Sequence, residues 1–106
     1  MTSRPADHEY APYFARYVAR VPETDILAVL QLQLTDLERA AGAVAVEQEQ
    51  FRYGPDKWSV RQVFGHLTDA ERIFGYRSFC ISRGEQAPLP AWDENAYVEK
   101  SPYHEC

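Results

Sequence analysis

The chain holds three histidines, His8, His66 and His104, and only His66 falls inside a strongly periodic segment. At roughly 100° per residue in a helix, His66 points about 60° away from Val63, beside Ala70 and Arg77 at the margin of an apolar stripe. An imidazole there can face a helical interior and ligate a divalent metal or transfer a proton. It can equally be a boundary histidine satisfied by a carbonyl or a water. Asp69 and Glu71 flank the same turn. Helical projection carries Asp69 further toward solvent than His66 and puts Glu71 on the opposite edge of the stripe. Both are therefore expected as solvated groups or as partners of Arg72 and Arg77. Arg77 lies eleven residues beyond His66, on the same face. Its guanidinium could clamp an anionic group of a substrate, with structural pairing as the alternative. His104-Glu105-Cys106 mixes soft and borderline ligands, but at a terminus a frayed end is the plainer expectation. The sequence contains no His-x-x-x-His, Cys-x-x-Cys, Gly-rich phosphate loop, nucleophile elbow or dinucleotide fingerprint.

The elements that must position these groups are helical. Residues 1–9 are polar and aperiodic and are expected as a tail. Tyr10, Tyr13, Phe14, Tyr17, Val18 and Val21 recur at steps of three and four, predicting a short amphipathic helix that tolerates Pro12 in its first turn and stops at Pro22. A second helix opens after Thr24 as N-cap, with Asp25 near the positive helix end. Its stripe of Leu27, Leu30, Leu34, Leu37, Ala41 and Val44 suits packing in a bundle. Val46 to Lys57 is expected as a loop turning at Gly54-Pro55-Asp56. The next helix has the strongest start signal in the chain: Ser59 as N-cap, Gln62 completing a capping box, and Trp58 and Val63 at the staple positions. Val60, Val63, Phe64, Leu67, Ala70, Phe74, Ser78 and Ile81 follow along one face, and Gly84 stands where a left-handed C-cap ends it. From Gly84 to Cys106 three prolines and scattered aromatics predict an extended tail with no more than a helical turn after Asp93. A tail of this length is more irregular chain than a finished compact domain usually carries.

With 106 residues, 45% of them hydrophobic and 25% charged, the chain falls within the range of one globular domain spanning 1–106. A formal charge of -5 disfavours nucleic acid. No stretch approaches the roughly 20 apolar residues of a membrane span, and the first residues lack the apolar block of a signal peptide, so the expected compartment is the cytoplasm. Cys80 and Cys106 do not make a disulfide framework and are expected as reduced thiols.

The segment Lys57 to Arg83 resembles the signature of the DinB/YfiT-like superfamily of helical metal-binding proteins. Trp58-Ser59 matches its Trp-Ser pair, and His66-Leu67 with Asp69 and Glu71 matches its His-Leu followed by acids. Arg83-Gly84, Leu89-Pro90 and Trp92-Asp93-Glu94-Asn95 continue the likeness, which covers roughly residues 24–103. The resemblance implies an all-α, up-down four-helix bundle holding a divalent metal such as nickel, zinc or iron through three histidines, the first at His66. The other two normally form a His-x-x-x-His pair on the last helix, which this chain lacks. The chain is thus expected to be an N-terminal portion: about three helices of the bundle, with an incomplete metal site. The activity implied is that of a metal-dependent transferase of a low-molecular-weight thiol, or a hydrolase, in which the cation holds a thiolate as nucleophile. The alternative is a non-catalytic helical interaction module or inactive truncated bundle. Because an incomplete bundle leaves an apolar stripe uncovered, a homodimer or higher oligomer is expected either way.

Overall fold

Asp25, one residue later than expected, starts the longest helix of the N-terminal half: its carboxylate accepts the Ala28 N–H at 3.2 Å. The computed structural model describes residues 3–104. It is all-α, with no strand among the described residues, and divides into two compact units, Met1–Ala43 and Val44–Cys106. In the first, the expected Tyr10–Val21 helix is shorter and tighter. A 3-10 turn over Pro12–Phe14 leads into α1 (Ala15–Val18), and Arg20 and Val21 then bond back to Tyr17 and Val18 in turn fashion. Pro22 disfavours the helical region at Val21, so the helix is not expected to run through Val21 in any case. Residues expected as a tail are in part ordered: Asp7–Glu9 form a 3-10 turn, closed by the Ala6 N–H on Glu9 at 2.6 Å. Tyr10 donates to Asp7 at 3.0 Å, and Arg4 donates to the Val18 carbonyl at 3.0 Å. α2 (Ile26–Gly42) carries the leucine seam, whose members Leu27, Leu30, Leu34 and Leu37 are 67, 53, 57 and 40% exposed.

In the second unit the loop after Val44 docks onto the start of α3 (Val60–Ser82). A 3-10 turn forms over Val46–Gln48, and the chain then runs alongside the helix entry. There the Val60 N–H donates to the Phe51 carbonyl at 3.0 Å and the Arg61 N–H to the Glu49 carbonyl at 2.9 Å. These bonds, with the cap, satisfy the donors a helix N-terminus leaves open. The Arg61–Glu49 ion pair at 2.7 Å reinforces the docking. As both side chains are partly exposed, it adds no more than about 1 kcal/mol. The capping box is present in full: Gln62 N–H to Ser59 Oγ at 3.1 Å, and Ser59 N–H to the Gln62 side chain at 2.9 Å. At the far end Gly84 takes φ 80°, with its N–H on Ile81 and the Glu85 N–H on Cys80. That is the double bond pattern of a glycine-terminated helix.

The helical turn expected after Asp93 is present as the six-residue α4 (Glu94–Glu99), while the tail expected as extended also forms a 3-10 turn over Pro102–His104, and both pack on α3. Asp93 caps α4 by accepting the Ala96 N–H at 3.1 Å. Val98, 1% exposed, is the one hydrophobic residue fully buried among the described residues. Beneath this segment α3 presents Gln62 and Gly65, both buried, and the half-buried Asp69. Of the apolar positions singled out by periodicity, Val60, Phe64 and Ala70 are half-buried, whereas Val63, Leu67, Phe74 and Ile81 are exposed. The most deeply buried positions of α3, Gln62 and Gly65, are not apolar side chains, and a search for an apolar stripe passes over them.

Candidate functional site

His66 lies in the second turn of α3, where the Ser59 cap fixes the helix start and hence the direction of every following side chain. Its imidazole, 19% exposed, sits between two indoles. The Trp58 ring centroid is 4.8 Å away at an interplanar angle of 39°, and that of Trp92 is 5.4 Å away at 13°, a stacked pair. Trp58 thus contributes to the site from the residue just before the cap. Trp92 is held in turn by edge-on contacts with Phe74 at 6.4 Å and Tyr97 at 6.1 Å. His66 Nε2 stands 3.9 Å from Glu94 Oε2, beyond hydrogen-bond reach, and Nδ1 is buried with no hydrogen-bond partner. The ring is therefore oriented by stacking on its faces rather than by a bond to its second nitrogen.

The other expected site residues are distributed differently. Arg77 donates to the Pro90 carbonyl at 3.0 Å, and its guanidinium lies 5.7 Å from the Phe74 ring, so it ties the chain between α3 and α4 to the helix that carries His66. Asp69, expected toward solvent, is half-buried and accepts the Tyr103 hydroxyl at 2.8 Å. That hydrogen bond, then burial and the carboxylate charge, raise the Tyr103 phenol above its ordinary pKa. Glu71 is exposed. Of His104-Glu105-Cys106, only His104 is among the described residues; its side chain is exposed. Cys80 is unbridged and half-buried, as expected of a reduced thiol, while Cys106 lies outside the described residues.

Glu94 is the polar group that residue spacing missed. It comes from a segment expected as a turn at most, and twenty-eight residues separate it from His66. The available signal was Asp93, an N-cap type that predicts a helix whose first residue is Glu94. Imidazole and carboxylate together suit a borderline divalent cation. Among the described residues, however, no group of three His, Cys, Asp or Glu gathers that could hold a metal ion. No helix among the described residues is long and apolar enough to cross a membrane.

No curated protein and no solved structure matches the chain. A family model does, over residues 30–102, and its description is the DinB superfamily. The matched span runs from within α2 to Pro102 and takes in the Trp58-Ser59 cap, His66, the Trp92-Asp93-Glu94 turn and the buried Val98. Since more than half of its length, including every group of the stacked histidine site, lies within that match, the chain belongs to the DinB superfamily.

Proposed function

We propose that this chain binds a divalent cation at His66 Nε2 with Glu94 as the second protein donor, and that it serves metal-dependent transfer of a low-molecular-weight thiol or a hydrolysis. The observation that carries the reading is the 3.9 Å approach of Nε2 to the Glu94 carboxylate, made by a ring that stacking holds in place. With metal–ligand bonds of about 2.1 Å, two ligands of a tetrahedral cation lie roughly 3.4 Å apart, so a small side-chain adjustment brings both onto one ion. A divalent cation held between the imidazole nitrogen and the carboxylate would be attracted to both. With two protein donors, coordination positions remain for water or a thiol. Zinc, nickel or iron fits this donor pair. When bound, such a cation lowers the pKa of a coordinated thiol or water, making a nucleophile available at neutral pH.

The chain's own residues would do the rest. Trp58 and Trp92 cover the faces of the imidazole and exclude water from them, and Glu94 holds negative charge beside Nε2. Arg77 uses one donor on Pro90, and a guanidinium has five, so it is the candidate for the anionic group of a substrate. The test is metal content after dialysis against zinc or nickel, by elemental analysis. About one ion per chain is expected, lost in His66→Ala and markedly reduced in Glu94→Gln with helix content unchanged. Equal metal in wild type and His66→Ala would overturn the reading.

A second reading rests on the exposure of the leucine seam of α2. Four leucines at heptad-like spacing facing water favour a non-catalytic, self-associating helical module, with a homodimer as its simplest form.

A further inference from the structure

The site depends on Glu94, a half-exposed carboxylate at the first position of a six-residue helix. A helix that short has no stability of its own, so something outside it must hold it. Val98 provides burial against α3. The more specific attachment lies a few residues further on. The Tyr103 ring rests on Gly65 so closely that a Cβ at Gly65 would collide with it, and the Tyr103 hydroxyl reaches Asp69 one helical turn along. The segment between is braced by Ser101, whose hydroxyl donates to the Val98 carbonyl at 2.6 Å and accepts the Tyr103 N–H at 3.3 Å. Gly65, Asp69 and His66 belong to the same stretch of α3. The surface that seats Tyr103 and the residue that faces Glu94 are therefore parts of one rigid element.

We infer that Tyr103 is a positioning residue for the His66–Glu94 pair: its ring seated on Gly65 and its hydroxyl bonded to Asp69 fasten α4 to α3 and so set where Glu94 and Trp92 stand against the imidazole. The value of this arrangement to metal binding rests on the function proposed above, whereas the latch itself does not.

The test uses the full chain with Gly65→Ala, Tyr103→Phe, Tyr103→Ala, the Gly65→Ala/Tyr103→Ala double variant, and Gly75→Ala as control. Gly75 lies in the same helix with nothing within 4 Å of an added Cβ, so its substitution reports helix effects alone. Two readouts need no metal. One is amide hydrogen exchange at Tyr97, Lys100 and Ser101, whose N–H groups bond within and just after α4. The other is the proton shift of the His66 ring, which the currents of the stacked indoles displace. Gly65→Ala is expected to speed exchange at these amides on the order of tenfold and to move the His66 shifts toward those of a free histidine. Tyr103→Phe gives a smaller change of the same kind, Gly75→Ala none, and Gly65→Ala adds little once Tyr103 is Ala. Zinc affinity is expected to fall on the order of tenfold in Gly65→Ala. Unchanged α4 exchange and unchanged His66 shifts in Gly65→Ala would overturn the latch even if zinc binds. A wild-type chain that binds no zinc, but whose exchange and shifts respond as stated, would overturn the metal reading and leave the latch standing.

Discussion

His66 was visible in the sequence as an imidazole at the margin of a helix, and its surroundings were not. Helical projection says which way a side chain leaves its own helix, but not what another segment places against it. The two indoles lie eight residues before and twenty-six after His66 in the sequence, and Glu94 twenty-eight after. Asp69 shows the same limit in reverse: projection sent it toward solvent, and the Tyr103 hydroxyl covers it. A pH effect follows at this scale. Hydrogen bonds to Asp69 and Asp7, the largest influence in each case, raise the phenols of Tyr103 and Tyr10 above 10.0. A raised phenol favours the neutral form in the folded state. Its stabilising contribution is complete below the unfolded value and is lost as pH rises through the folded one. Denaturant midpoints measured from neutral pH to roughly pH 11 are expected to fall at the alkaline end. Tyr103→Phe is expected to lie below wild type at neutral pH and to narrow the gap above pH 10.0. A constant gap across that range would contradict the Tyr103–Asp69 bond.

The best-read element is α3, because both of its boundaries are set locally. Ser59 and Gln62 close a capping box within four residues, and Gly84 takes the left-handed conformation that ends the helix. With Ser59 fully buried, Ser59→Ala is expected to lower stability by about 1 kcal/mol or more in denaturant unfolding. A loss below about 0.3 kcal/mol would show that the cap is not what anchors the helix start. The element read least well is α4. Its six residues are too few to build a periodic signal, and what makes them a helix is the Asp93 cap and burial of Val98 on α3. The expected face of α3 is half-buried at Val60, Phe64 and Ala70 but misses its most covered positions, for a related reason. Gln62, Gly65 and Asp69 carry no hydrophobic signature, and a glycine that admits a tyrosine ring looks in sequence like any other helix glycine. At the N-terminus the expected helix is divided into a 3-10 turn over Pro12–Phe14 and the four residues of α1.

For the molecule as a whole, composition bounded the class and the family carried the rest. An all-α chain of 106 residues with charge -5 is compatible with many functions. Membership of the DinB superfamily is shown, and metal binding at His66 and Glu94 is proposed from the 3.9 Å approach of the two side chains. The exposed seam of α2 bears on assembly. Sedimentation of the intact chain at tens of micromolar is expected to show a dimer or larger species, and a cooperatively melting monomer would contradict self-association through that seam. The proposed function requires one divalent cation at His66 Nε2. Its most direct measurement follows the imidazole nitrogens of His8, His66 and His104 by nuclear magnetic resonance in a 15N-labelled chain titrated with zinc. A large shift of His66 Nε2 is expected, saturating near one equivalent, with His8 and His104 unmoved and the response weakened in Glu94→Gln. An unshifted His66 Nε2, or a shift confined to His8 or His104, would contradict it.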